Sequence, residues 1–338
     1  MKKNTLEIAI PTYNRTSYLE KCFKSIIASI ERVPESQRYL IGISISDNST
    51  KDFLNKEKLI QKYKEIFIKL NINYFNYYIS GFNIGVVNNI ASALSNTQSS
   101  YVWILPDDDV ARFDSIENIL NAIYKHSPCF IVGGWEQKSK IGYEDDQLKN
   151  DNNEANSILS CHLDNERIDI FLSKNACQLQ EYVYKSDLIK QFFSDETNIP
   201  LLTPMDPGLY GIYCMQSEQP LVLLKYSVGI FRHDEPNSIT EWRHLWPKYT
   251  LEDWPELSEK IFKKGWLNQK QLKIAISLYD DLLYCAPYRP DVILGINRKY
   301  GLSISKLWYF HRKKYLIAIL KSIPAIIAEI IRRISKSK

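Results

Sequence analysis

Three consecutive carboxylates, Asp107, Asp108 and Asp109, follow an apolar run in the segment YVWILPDDDV. Held at the end of a strand, three neighbouring negative charges repel one another unless a cation compensates them. A hard divalent ion, Mn2+ or Mg2+, bridged to phosphate oxygens of a ligand would supply that compensation. The same residues also suit a solvated acidic turn capping the next helix, because aspartate favours helix N-termini. The triplet alone does not separate these readings.

Three other polar segments bear on the choice. PTYNR, with Pro11, Thr12, Tyr13 and Arg15, directly follows the first apolar run. ISISDNST places Asp47 just past the second, where a carboxylate can accept hydrogen bonds from a base N–H or a ribose hydroxyl. SGFNIGVVNN carries Asn83 and Gly85 before a helical pattern, and a glycine there permits close backbone approach at a helix N-terminus. Each has a plain alternative as a turn or an Asx cap. Neither G-x-G-x-x-G nor G-x-x-x-x-G-K-[ST] is present, so a dinucleotide fingerprint and a P-loop are excluded.

The elements that must position these residues alternate. Strands are predicted at 6–10, 40–46, 72–78, 101–105 and 130–133. Helices are predicted after Ser17-x-x-Glu20, which reads as a capping box, and near 54–70, 86–94 and 113–124. Such alternation implies an α/β fold with a mostly parallel sheet flanked by helices. Ligands in open sheets of this kind collect at the carboxyl ends of the strands, where all four polar segments fall.

Taken in order, PTYNR, SDNST, N-x-G and PDDD make the chain resemble the family 2 glycosyltransferases, and within them the abequosyltransferase-like enzymes of bacterial surface polysaccharide assembly. The resemblance is good over residues 5–135 and weak beyond. It implies a GT-A fold, Rossmann-like, and inverting transfer of a sugar from a nucleotide diphosphate sugar, most often a UDP-sugar, to a saccharide acceptor. Under it, Pro11, Thr12, Tyr13 and Arg15 line the nucleotide site and Asp47 binds base or ribose. Asn83 and Gly85 seat the donor, Asp107 and Asp108 touch ribose and diphosphate, and Asp109 is the main metal ligand.

Inverting transfer needs a base for the acceptor hydroxyl. The family's acidic pair is absent, and the nearest counterpart is Asp206 in TPMDPGLYGIYC, with Pro207 in the first turn of a predicted helix. Glu181 in LQEYVYKS is a second candidate. Either carboxylate could instead be structural, as a helix cap or a buried pair. In FRHDEPNS, His233 beside Arg232 resembles the family's diphosphate- or metal-binding histidine.

The chain divides into a nucleotide-sugar-binding half at 1–135, an acceptor-binding half at 136–245, a helical C-terminal region at 246–305 and a basic amphipathic tail at 306–338. The polar stretch 137–157 reads as a mobile loop. Of the formal +4 charge, residues from Lys306 onward carry nine basic and one acidic side chain, leaving the body slightly acidic. The tail's apolar runs are broken by Lys321, Pro324 and Glu329, too short to span a bilayer. Its aromatic and basic residues fit a helix lying on a membrane surface, suiting a lipid-linked acceptor; an ordinary packed helix is the alternative. Nucleic acid ranks below lipid as the tail's partner. Six scattered cysteines without a C-x-x-C pair and no signal-peptide pattern point to a reduced, cytoplasmic protein, peripheral on the inner face of the membrane. The rival functions are a sugar nucleotidyltransferase, whose Gly-rich basic loop PTYNR lacks, and a non-catalytic module that binds nucleotide sugar or saccharide.

Overall fold

The computed structural model describes residues 5–51, 53–134, 158–164, 166–173, 179–201, 206–230 and 248–278, and beyond these 303, 305–311, 315–317, 319 and 327. The stretch 137–157, Arg232, His233 and most of the basic tail lie outside the described residues.

The first half alternates as the apolar periodicity requires: β1 (Leu6–Thr12), α1 (Thr16–Arg32), a single turn α2 (Glu35–Arg38), β2 (Ile41–Asp47), α3 (Phe53–Lys69), β3 (Tyr74–Ile79), α4 (Val86–Ser95), β4 (Tyr101–Ile104), β5 (Val110–Ala111), α5 (Ser115–His126) and β6 (Phe130–Val132). There follow β7 (Ile158–His162), α6 (Arg167–Ser173), β8 (Tyr182–Lys185), α7 (Ser186–Ser194), α8 (Asp206–Cys214), β9 (Leu221–Leu224) and β10 (Gly229–Ile230). Eight strands form one sheet in the order β3-β2-β1-β4-β8-β6-β9-β7, and β5 pairs separately with β10. Pairings are parallel from β3 through β4 and between β6 and β9; β8 and β7 run against their neighbours.

β1 and β2 are buried along their whole length, the mark of strands covered on both faces. α1, α3 and α5 pack together as one layer, and α4, α7 and α8 as another. α1 turns Leu19, Cys22, Phe23, Ile26 and Ile30 inward at helical spacing, and Phe23 meets Phe67 of α3 and Phe75 of β3 in an aromatic cluster. A second cluster joins Phe130, Tyr182, Tyr184, Phe192 and Tyr210, with Gly211 allowing α8 to approach Phe130 so closely that a Cβ would lie 2.5 Å from its ring. The capping box expected at Ser17 is not made. α1 starts at Thr16 with no side-chain cap, and Glu20 instead accepts hydrogen bonds from Tyr63 and Lys62.

The chain resolves into two compact units, Met1–Arg167 with Ala176–Asp234, and Ile168–Asn175 with Glu235–Lys338. In the second, a π-helical turn Tyr249–Asp253 leads into α9 (Trp254–Lys263), followed by α10 (Gln269–Ser277), which carries a complete Asn268 to Gln271 capping box. The helical stretch 305–311 opens the basic tail. Its Leu307 and His311 are buried and Lys306 pairs with Glu256 at 2.6 Å, while Trp308 and Tyr309 are exposed. Among the described residues no helix is long and apolar enough to cross a membrane.

Candidate active site

The strand order turns back at β1. The chain runs outward through β2 and β3, then returns to place β4 on the other side, so β1 and β4 flank the switch point where ligands of open sheets bind. PTYNR ends β1 and the acidic triplet follows β4. Pro11 is tolerated in this central strand because β4 pairs only as far as Ala9, leaving no partner there for a missing N–H.

The two segments touch. Thr12 Oγ1 donates to Asp107 Oδ2 at 2.6 Å, and Arg15 Nη1 donates to Asp108 Oδ2 at 2.5 Å and to Asp107 Oδ1 at 3.4 Å. Asp107 and Asp109 are buried, whereas Arg15 and Asp108 are partly open. Tyr13, at 40% exposure, stands on the rim. Burial, with the charge of Asp108 beside it, pushes the Asp107 carboxyl well above the usual carboxylate range despite Arg15.

Asp47 ends β2 fully enclosed. Its Oδ1 accepts from Lys56 Nζ at 3.1 Å and from the Ser49 N–H at 2.9 Å, and its Oδ2 from Tyr77 O–H at 2.6 Å. Asn14, at positive φ, accepts from the Thr50 and Lys51 N–H groups and so ties the loop after β1 to the loop after β2. Asn48 joins the next crossover: its Nδ2 donates to Asn83 Oδ1 at 2.8 Å, and its Oδ1 accepts from the Ile84 N–H. Gly85, at φ 82°, precedes α4 in a conformation costly for other residues, and its N–H donates to Asn83 Oδ1. Asn89 of α4 donates to the Thr12 carbonyl and accepts from Ser46.

Glu181 sits at the same end of the sheet. A 3-10 turn, Leu179–Glu181, leads into β8, fixed by Trp103 Nε1 donating to the Gln180 carbonyl and the Gly133 N–H donating to that of Glu181. The Glu181 carboxylate accepts from the Val228 N–H at 3.2 Å and lies where a Cβ on Gly133 would be 2.4 Å away. Its pKa is pushed up to about 7 by burial. Val228 leads into β10, whose partner β5 begins right after Asp109. Asp206 begins α8, as expected of a residue at a helix start, but its side chain lies outside the described residues.

Among the described residues no three His, Cys, Asp or Glu side chains converge to hold a metal by themselves. An acidic, all-oxygen cluster beside the Arg15 guanidinium would instead fit a hard cation whose shell is completed by phosphate oxygens, the usual arrangement for Mg2+. Missed by sequence reasoning were Lys56 and Tyr77. Lys56 left a signal: with Ile60, Tyr63 and Phe67 it occupies the apolar stripe of α3, where an unpaired lysine does not belong.

Residues 7–181, more than half of the chain, match the profile described as Glycosyl transferase family 2. The chain belongs to that family. A curated relative, abequosyltransferase RfbV of Salmonella typhimurium, is 31% identical over 112 residues, a segment covering 33% of this chain and 30% of the relative. A mannosyltransferase of Pyrobaculum calidifontis, solved in complex with GDP-Man and Mn2+, superposes with a TM-score of 0.54 at 12% identity, covering 96% of this chain and 88% of the other. S. aureus TarS in complex with UDP-GlcNAc gives 0.50 at 14% identity over 96% and 92%. At these identities the superpositions establish a shared GT-A glycosyltransferase fold, as the four ordered motifs imply.

Proposed function

We propose that this family 2 glycosyltransferase transfers a sugar, with inversion, from a nucleotide diphosphate sugar to a saccharide acceptor in bacterial surface polysaccharide assembly. The observation carrying this reading is the junction of Thr12 and Arg15 with Asp107 and Asp108 at the switch point of the sheet. A guanidinium and a carboxylate cluster side by side fit a diphosphate and the cation that accompanies it. The matched relative's name, an abequosyltransferase, supports the sugar-transfer chemistry, and the neighbours' UDP-GlcNAc and GDP-Man support the class of donor.

Asp109, aided by His233, would hold Mn2+ or Mg2+, and Asp107 and Asp108 would face ribose and diphosphate. When bound, the ion supplies charge neutralisation for the leaving diphosphate. Arg15 stabilises the same charge, and Asn83 and Gly85 hold the backbone of the α4 N-terminus in position for the donor. The proton of the acceptor hydroxyl passes to Asp206, at the start of α8, with Glu181 the second candidate. Glu181's carboxyl, near neutrality in its affinity for a proton, is suited to the task but committed to Val228 and enclosed. Exposed Trp308 and Tyr309 on the packed stretch 305–311 fit contact of the tail with a membrane carrying a lipid-linked acceptor.

Release of UDP from a UDP-sugar in the presence of Mn2+ tests the metal role. Asp109→Ala is expected to abolish it, and turnover that survives this substitution unaltered would remove Asp109 from the site.

A further inference from the structure

Lys56 is fully buried in the first turns of α3, and a lysine is almost never so enclosed unless it is paired. Its ammonium donates to Asp47 Oδ1 at 3.1 Å, to Ser49 Oγ at 2.5 Å and to Thr12 Oγ1 at 3.5 Å, so three donors meet three acceptors. Those acceptors belong to the ends of β1 and β2 and the loop that follows β2. Thr12 passes the link to Asp107 beyond β4, and Tyr77 ties in β3 through Asp47. One lysine therefore stands at the centre of a network joining the ends of the four parallel strands that shape the crevice.

The charges agree with this placement. The described ion pairs set Lys56 against Asp47, and Arg15 against Asp107 and Asp108. Without Lys56, the buried Asp47 would lose the cation of its described ion pair, and the hydroxyls of Thr12 and Ser49 would lose the donor that orients them.

We propose that Lys56 is a positioning residue of the donor site, an internal cation that fixes Asp47 and Thr12 in the geometry a nucleoside diphosphate requires. This rests on the donor-site reading above, and calorimetric titration with UDP in Mn2+ separates the two. Lys56→Met is expected to keep one site per chain while its Kd rises at least about tenfold, the loss expected for a charge-assisted contact. A purely structural role would instead lower the number of competent sites and leave Kd unchanged, which would overturn the proposal. Should Lys56→Met not fold, Ser49→Ala decides. It removes the ammonium's shortest contact, and Kd is expected to rise by about threefold or more. Kd values within about twofold of wild type in the folded variants would remove Lys56 from the donor site and leave that site standing. A wild-type chain that binds none of UDP, GDP or CDP would overturn the donor-site reading, and the role of Lys56 with it.

Discussion

Replacing Glu181 by Gln removes an ionisable group from a fully enclosed position without changing its shape, and the structure fixes the sign and size of the result. Burial raises the folded-state pKa from an ordinary 4.5 to about 7. Below pH 4.5 the carboxyl is protonated in folded and unfolded chains alike, and its ionisation costs nothing. Between 4.5 and about 7 the unfolded chain ionises while the folded one holds its proton, so stability falls as pH rises. Above that range both are ionised and the penalty is constant at about 3 kcal/mol, taking about 1.4 kcal/mol per pH unit of separation. The glutamine variant has no such dependence. Asp107, also raised, titrates in both proteins and cancels in the difference. Urea unfolding followed by tryptophan fluorescence should therefore show the variant gaining about 3 kcal/mol on the wild type between about pH 4.5 and pH 8. A difference that does not change with pH would refute the claim that this carboxyl is desolvated.

Other substitutions probe the scaffold and the site. Gly42→Ala would drive a Cβ to 2.2 Å from the Tyr74 ring lying over it, displacing the tyrosine from Glu7; a loss of about 1–3 kcal/mol should appear in the urea midpoint. Arg15→Met leaves Asp107 and Asp108 without their shared cation and should weaken UDP binding about 10- to 100-fold by calorimetry, with little change in fold. Asp206→Asn should lower kcat about 100- to 10,000-fold while donor affinity is kept, whereas a full effect at Glu181→Gln and none at Asp206→Asn would exchange their roles.

The sheet and its polar strand ends were legible because the signals are local. Apolar runs of strand length alternate with helical stripes, and each polar segment directly follows a strand. Once the order β2-β1-β4 is imposed, PTYNR and PDDD must meet, and Thr12 and Arg15 do reach the triplet. The charge balance was harder to read. Lys56 lies far from Thr12 in sequence and reaches it only because α3 packs over the sheet, and Tyr77 reaches Asp47 only through the pairing of β3 with β2. The capping box at Ser17 failed for a related reason, since Glu20 finds Tyr63 and Lys62 on α3, a tertiary choice that no local motif encodes. The burial of Glu181 likewise depends on two glycine-bearing and loop segments, Gly133 and Val228, brought together from distant parts of the chain.

Thermal unfolding across a panel of nucleotide sugars, with and without Mn2+, tests the central claim most directly. A ligand at a hundredfold excess over its Kd stabilises the folded state by about 2.7 kcal/mol, a shift of several degrees. One donor class should raise the midpoint by that amount with Mn2+ present and by less without it, and Asp109→Ala should lose the metal-dependent part. A flat response across the panel with Mn2+ present would contradict a donor site at the acidic triplet and favour a non-catalytic role for the fold.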